Sequence, residues 1–209
     1  VSQLTALALI CGLASFSSQA ADMANAMTLS QLQAQHGAAI DTRPSAFYNG
    51  WPQTLSGPSG HEPAALNLAA AWLSAMSDEQ IALWAKQHQL TPATSIALYG
   101  DENDNQAVKA RLEKAGYRHV SLLSDALQTP DRLQRLPHFE QLVYPQWIHR
   151  LQQGKPVTAA PAGEWKVIEA AWGAPKFYLL NHIPGAGYID TNEVESEPLW
   201  NKVSDDKLK

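Results

Sequence analysis

Short runs of consecutive apolar residues alternate with stretches of helical periodicity along this chain. Residues 95–99 contain an apolar run without polar alternation, which is typical of a strand covered on both faces. Further on, Val108, Leu112 and Ala115 share one helical stripe, and this spacing predicts a helix over residues 106–115. Gly116 follows as a left-handed C-terminal cap, and residues 117–123 form a second buried strand.

The order strand, loop, helix, strand predicts a βαβ unit. In sheets built from such units, ligands bind outside the carboxyl ends of the strands. We therefore expect any functional site to lie at the polar loop that follows the first strand. That loop consists of Gly100, Asp101, Glu102, Asn103, Asp104 and Asn105.

Two capping boxes mark the starts of further helices. Thr28 with Gln31 predicts a helix over residues 29–36 that Gly37 ends, and Ser77 with Gln80 predicts a second one. The alternation of these helices with apolar strands predicts an α/β fold, a domain with a mainly parallel central sheet flanked by helices.

A strand over residues 38–43 precedes a segment rich in proline, glycine and serine. That segment, residues 44–62, predicts a long surface loop, and we expect Trp51 to anchor it to the body of the domain. Later in the chain, the pattern predicts a helix that begins near Tyr144, a flexible joint over residues 154–163 and a strand over residues 165–170.

The chain contains an internal repeat of weak sequence similarity. Residues 60–65 and 181–186 share His-x-Pro and a closing alanine, with His61 and His182 at matching places, and each segment follows a predicted strand. In the second copy, the residues that match the helix start at Ser77 begin at Ser204. We therefore expect a first domain over residues 27–140 and the incomplete start of a second over residues 141–209, within a longer protein.

Composition excludes some classes of partner. The chain has 209 residues, 45% of them hydrophobic and 17% charged, which is ordinary for a globular protein. The net charge of −5 and the lack of a basic run argue against nucleic acid. Cys11 is the single cysteine, so no internal disulfide can form.

The first 26 residues have the pattern of a signal peptide. Residues 4–13 form an apolar core too short to span a bilayer, and small residues up to Ala20 offer a cleavage site. This predicts export to the periplasm, no membrane association after cleavage, and a mature chain without a thiol. The alternatives are an N-terminus that is disordered or packs on the core and, less well supported because bulky Ile10 precedes it, a lipoprotein anchored through Cys11.

Three features together resemble the rhodanese-like sulfurtransferases. They are the Asp-x-Arg sequence formed by Asp41 and Arg43 at a strand end, the His-Ile-Pro-Gly-Ala sequence over residues 182–186, and the strand–loop–helix that starts at Tyr99. The resemblance covers nearly everything after the N-terminal segment. It is greatest to the start of periplasmic members with three such domains in tandem.

The resemblance implies a nucleophilic mechanism without a cofactor. A cysteine thiolate takes sulfur from thiosulfate or a mercapto-acid, forms a persulfide and passes the sulfur to an acceptor. In active members that cysteine directly follows the tyrosine of the strand, where this chain has Gly100. The resemblance therefore implies a non-catalytic N-terminal portion. Its partners are later rhodanese domains of the same polypeptide, and a protein that accepts sulfur is a further candidate partner.

The other polar candidates have structural interpretations. Asp101, Glu102 and Asp104 fit a helix start with capping acids, although a metal or a cationic partner is an alternative. No histidine spacing indicates a metal site. We expect Asp41 and Arg43 to connect the strand end to nearby loops, and His61 and His182 to bond the backbone of turns.

Two other functions remain open on the sequence alone. The chain could be a stand-alone binding module that recognises a periplasmic protein through the acidic loop or through residues 44–62. It could also be an unrelated enzyme that uses Asp41 and His61 as an acid–base pair, which requires the two side chains to lie within hydrogen-bond reach in one cleft.

Overall fold

A computed structural model describes residues 26–208 of the chain. Its centre is a five-stranded parallel sheet with helices on both faces, which confirms the predicted fold class. The strand order is β1-β5-β4-β2-β3. The strands of this sheet are β1 (Ala26–Met27), β2 (Ala38–Asp41), β3 (Leu66–Asn67), β4 (Ile96–Tyr99) and β5 (Val120–Leu123).

Five α-helices accompany the strands. They are α1 (Leu29–Ala34), α2 (Ser45–Asn49), α3 (Asp78–Gln87), α4 (Glu102–Lys114) and α5 (Pro145–Gln152). Both predicted capping boxes are present, at the starts of α1 and α3. Gly116 has a φ of +97° directly after α4, as a left-handed C-terminal cap requires.

Strand β4 lies in the middle of the sheet, and its side chains alternate between two apolar layers. Ile96 and Leu98 pack with α3 and α4 on one face, whereas Ala97 and Tyr99 pack with α1 on the other. All four residues are buried. Because successive side chains of a strand point to opposite faces, a strand without polar residues needs this double cover.

Three elements differ from the sequence prediction: one starts earlier than expected, and two were not expected. The helix expected to begin at residue 106 begins at Glu102, because acidic residues near a helix N-terminus are favourable and extend its first turn. The expected loop over residues 44–62 contains α2, a helix of five residues. Strand β3 was not predicted, because its two residues carry no period and are defined by their pairing with β2.

The end of α1 also differs from the prediction. The left-handed residue is His36, with a φ of +51°, and not Gly37. Gly37 is required for a different reason, a close approach between helix and strand. A Cβ at Gly37 would lie 2.4 Å from Leu32 Cδ1 and 2.6 Å from the carbonyl oxygen of Ser95.

Trp51 is buried and anchors its loop, as predicted. Its indole packs edge-on against Phe139 and lies beside Trp147 of α5. The indole Nε1 donates a hydrogen bond of 3.0 Å to the carbonyl oxygen of Leu142. Only 1% of the Trp51 surface is exposed, so this residue offers no exposed ring for a partner.

The described chain forms two compact units. The first ends at Thr158 and the second starts at Ala159, so α5 belongs to the first unit. The second unit contains a parallel pair of strands, β6 (Ile168–Ala171) and β7 (Gly187–Asp190), and a hairpin of β8 (Glu195–Ser196) and β9 (Asn201–Lys202).

The predicted signal peptide lies almost wholly in residues 1–25, outside the described part of the chain, and remains a prediction. Within residues 26–208, no helix has both the length and the apolar character needed to cross a bilayer.

Candidate functional site

A cavity of about 250 Å³ opens at the carboxyl end of β4, where a doubly covered parallel sheet places its ligands. Gly100, Asp101 and Asn105 line it, together with Tyr99 at the strand end and Arg43 from the end of the neighbouring strand. The structure therefore brings the expected loop and the Asp-x-Arg arginine to one cavity. His61 and His182 are not among its lining residues.

Asp41 and Arg43 form a buried bidentate ion pair. Arg43 Nε donates to Asp41 Oδ1 at 2.9 Å, and Arg43 Nη2 donates to Oδ2 at 2.6 Å and to the carbonyl oxygen of Gly60 at 2.8 Å. At most 1% of either side chain is exposed. These bonds connect the end of β2 to the loop that carries His61, and they leave Asp41 without access to a substrate proton.

Gly100 adopts a backbone conformation that side chains rarely take, with a φ of +147°. The interior of its turn is filled by its own neighbours. Thr42 Oγ1 donates its shorter hydrogen bond, 2.8 Å, to Asn105 Oδ1, and Asn105 Nδ2 donates to the carbonyl oxygen of Gly100 at 3.3 Å. Asn105 is thus a buried structural residue of α4, not part of an open loop.

The three acids of the predicted loop only partly behave as capping groups. Asp101 occupies the N-cap position of α4, but its side chain accepts no capping hydrogen bond; Gln53 Nε2 lies 3.5 Å from its Oδ2 instead. Burial and the charge of Asp101 raise the pKa of Asp104. Glu102 is exposed in the first turn. Of these three acids, Asp101 alone lines the cavity, and its negative charge disfavours anionic ligands there.

Tyr99 connects the cavity floor to the loop that follows α2. Its hydroxyl oxygen accepts a hydrogen bond of 3.0 Å from the backbone N–H of Glu62. Burial, and secondarily the charge of Asp41, raise the pKa of Tyr99 above that of a free tyrosine. The phenol therefore stays neutral and serves as a positioning group.

His61 is held by Tyr48 in an arrangement that we call the Tyr–His clasp. The two rings stack with centroids 3.8 Å apart, His61 Nδ1 lies 2.6 Å from the carbonyl oxygen of Tyr48, and Tyr48 Oη donates to the carbonyl oxygen of Ala65 at 2.7 Å. Among the described residues no hydrogen bond joins His61 to Asp41, whose two oxygens bond Arg43. This arrangement excludes the acid–base pair that the unrelated-enzyme hypothesis requires.

The second unit repeats the clasp with different residues. Tyr178 and His182 stack at 4.1 Å, His182 Nδ1 lies 2.8 Å from the carbonyl oxygen of Tyr178, and Tyr178 Oη donates to the carbonyl oxygen of Ala186 at 2.7 Å. In both copies, the alanine whose carbonyl accepts the bond from the tyrosine lies four positions after the histidine: Ala65 after His61 and Ala186 after His182. The internal repeat is thus a repeat of geometry as well as of sequence.

Strand register aligns the two copies residue by residue. Ile40 pairs with Leu66, directly after the first clasp, and Ile168 pairs with Gly187, directly after the second. Counting from these pairs places Glu169, Ala170 and Ala171 at the positions of Asp41, Thr42 and Arg43. The second unit therefore lacks the buried arginine of the first.

Glu62 is a buried residue that the sequence analysis did not single out. Its carboxylate accepts a hydrogen bond from the backbone N–H of Leu127 at 2.6 Å and another from Arg132 Nε at 2.9 Å. Leu127, with a φ of +62°, lines the cavity. The second copy has Ile183 at the position that matches Glu62. This difference between the copies is the only feature of the sequence that distinguishes Glu62.

A metal or a second chemical centre finds no support in the part of the chain that the structure describes. No group of three or more potential metal ligands occurs within residues 26–208. A second cavity of about 290 Å³ lies beside Trp51, Trp147 and Pro156. Among the described residues that line it, Arg150 alone is charged, and it donates to the carbonyl oxygen of Pro156 at 3.1 Å.

The chain is similar to known proteins. No family model matches the chain. Over all 209 residues the chain is 71% identical to thiosulfate sulfurtransferase YnjE of Escherichia coli (strain K12), of which it covers 48%. The crystal structure of YnjE matches with a TM-score of 0.84 and 72% identity, over 88% of this chain and 44% of that one.

A more distant structure shares the same architecture. A complex of EanB with hercynine matches with a TM-score of 0.78 and 28% identity, over 88% of this chain and 44% of that one. The chain thus spans about half the length of the relatives it matches. These similarities support the rhodanese-like family, and the chain has a rhodanese-like α/β fold that corresponds to about half of a thiosulfate sulfurtransferase.

Proposed function

We propose that this chain is the N-terminal, non-catalytic portion of a rhodanese-family sulfurtransferase. The sulfur donor of the whole sulfurtransferase is thiosulfate or 3-mercaptopyruvate. The role of this portion is structural or regulatory for a catalytic cysteine domain outside these 209 residues. The proposal depends most on the observation that Gly100 lines the cavity at the end of β4. The resemblance expects the sulfur-accepting cysteine at this position.

The other residues of that cavity cannot replace a thiolate. Among the described residues 26–208, its lining contains no cysteine, serine, histidine or lysine. Tyr99 is a buried phenol whose raised pKa keeps it protonated, and Asp101 is a weak nucleophile for sulfur that also repels thiosulfate and sulfite. Sulfur transfer needs an activated nucleophile, and none of the described lining residues supplies one.

The second unit supports the view that the chain belongs to a larger assembly of domains. In the first unit β2 has β4 on one side, whereas within the described residues β6 pairs with β7 alone. Large apolar side chains of the second unit are exposed, among them Trp172 at 74%, Phe177 at 81% and Leu180 at 82%. We infer that these exposed apolar side chains contribute to an interaction face.

In this proposal residues 1–26 direct export and the protein works in the periplasm. Its partners are later rhodanese domains of the same polypeptide, with a protein that accepts sulfur as a further candidate. Within the described residues the site offers no feature that calls for a cofactor.

The proposal is tested by assaying the 209-residue chain for thiocyanate formation from thiosulfate and cyanide. We expect the rate to equal that of a reaction without protein. A Cys11→Ser variant is the matched control, because Cys11 is the only thiol. Turnover well above the blank in both proteins would refute the non-catalytic role.

A further inference from the structure

Thr42 and Gly100 are brought together by the register of two neighbouring strands. Asp41 of β2 pairs with Tyr99 of β4, so the next residue of each strand lies side by side at the cavity. A Cβ built at Gly100 would lie 2.2 Å from Thr42 Oγ1 and 3.3 Å from Arg43 Cγ. A contact of 2.2 Å is far inside the van der Waals limit, so any side chain at position 100 displaces Thr42.

Thr42 cannot easily move aside. Its side chain is fully buried. Thr42 Oγ1 lies 2.8 Å from Asn105 Oδ1 and 3.2 Å from the carbonyl oxygen of Tyr99, within hydrogen-bond distance of both. Asn105 is itself buried, with 7% of its surface exposed. Rotating the hydroxyl away would leave buried polar groups unpaired, which is costly.

We propose that Thr42 is a second determinant of inactivity at this site, one that closes the nucleophile position sterically and acts independently of the missing thiol. This inference rests on the proposed function, in which residue 100 stands where related enzymes hold their cysteine. It implies that restoring a cysteine at position 100 does not by itself rebuild the site. The position accepts a side chain only when Thr42 is made smaller.

A double-mutant cycle separates the steric contact from the backbone strain. The φ of +147° disfavours any side chain at position 100 in every background, so that contribution cancels in the cycle. We expect Gly100→Ala to lower Tm by about 10 °C, and by about half as much when Thr42→Ala is also present. If Gly100→Ala alone shows no cooperative thermal transition, a transition that reappears when Thr42→Ala is added supports the proposal equally.

Thr42→Val is the matched control. Valine keeps the volume of threonine and loses the hydroxyl, so it removes the hydrogen bond to Asn105 and keeps the contact with position 100. Gly100→Ala should therefore remain as damaging with Thr42→Val as in the wild-type chain. Equal Tm losses in all three backgrounds, or equal relief by Thr42→Val and Thr42→Ala, would overturn the proposal.

A thiol measurement extends the cycle to the residue of interest. In a Cys11→Ser background, Gly100→Cys is compared with the double variant Gly100→Cys with Thr42→Ala, using a chromogenic disulfide reagent on folded, soluble protein. We expect folded protein with one reactive thiol only when Thr42→Ala is present. An equal yield of folded, reactive protein without Thr42→Ala would contradict a steric block.

The two proposals fail separately. Thiocyanate turnover by the wild-type chain would refute the non-catalytic role and would not alter the thermodynamic cycle. An absence of coupling between positions 42 and 100 would refute the role of Thr42 and leave the missing thiol as the only cause of inactivity.

Discussion

At the scale of single residues, the cavity is maintained by buried polar side chains that have partners within the protein. Asp41 with Arg43, Thr42 with Asn105, and Glu62 with Arg132 each satisfy a buried group next to the cavity wall. Burying a polar or charged group is tolerated only with such partners. The described residues around the cavity are therefore held by internal hydrogen bonds, and none of those that line it is a cysteine.

Glu62 should be among the most sensitive positions of the first unit. Glu62→Ala leaves the N–H of Leu127 unpaired and removes the acceptor of Arg132. We expect a loss of about 3 kcal/mol in the free energy of unfolding, measured by urea denaturation. Glu113→Ala, at an exposed position on α4, is the control and should change stability by less than about 0.5 kcal/mol. Similar losses in both variants would contradict this role.

Tyr99 predicts a dependence of stability on alkaline pH. Because burial raises its pKa in the folded protein, above about pH 10 only the unfolded chain releases this proton, and stability falls as pH rises. The wild-type free energy of unfolding should fall by about 1.4 kcal/mol per pH unit more steeply than that of Tyr99→Phe. Parallel slopes for the two proteins would show that Tyr99 ionises equally in both states.

At the scale of elements, periodicity and capping signals were sufficient for the longer helices and the central strands. The elements that were missed are short, and tertiary pairing defines them: β3 has two residues and exists through its register with β2. Helix α4 starts before residue 106 because Glu102 and Asp104 belong to its first turn. A sequence gives the types of these residues, but it does not show which strands are neighbours in the sheet or which strand ends therefore lie side by side.

The site shows the same limit. The glycine at position 100 was apparent from the sequence, whereas its contact with Thr42 depends on the register of Asp41 with Tyr99. The Tyr–His clasp was equally hidden, because Tyr48 lies 13 residues before His61 and Tyr178 only four before His182. Differences in loop length remove such a contact from any fixed sequence spacing.

The junction between α1 and β2 gives a prediction at this scale. A methyl group at Gly37 would meet Leu32 and the backbone of Ser95, so Gly37→Ala should cost about 2 kcal/mol in the free energy of unfolding. Gly163→Ala is the control, since nothing lies within 4 Å of its Cβ position. A chain that tolerates both substitutions equally in urea denaturation would show that the junction can relax.

At the scale of the whole molecule, the two units differ in how completely their strands are covered. All four residues of β4 are buried, whereas no residue of β6 is. Local stability follows buried contact, so backbone amides of β6 and β7 should exchange hydrogen faster than those of β4 and β5. Hydrogen exchange followed by mass spectrometry measures this directly, and equal protection in both units would contradict it.

The cavity at Gly100 should be unable to hold a sulfur atom. To test this, the Cys11→Ser chain is incubated with thiosulfate, the excess is removed, and any protein-bound sulfane sulfur is released with cyanide as thiocyanate. We expect no more thiocyanate than from a sample without protein. About one thiocyanate released per chain would contradict it, because sulfur would then be held at a site without a thiol.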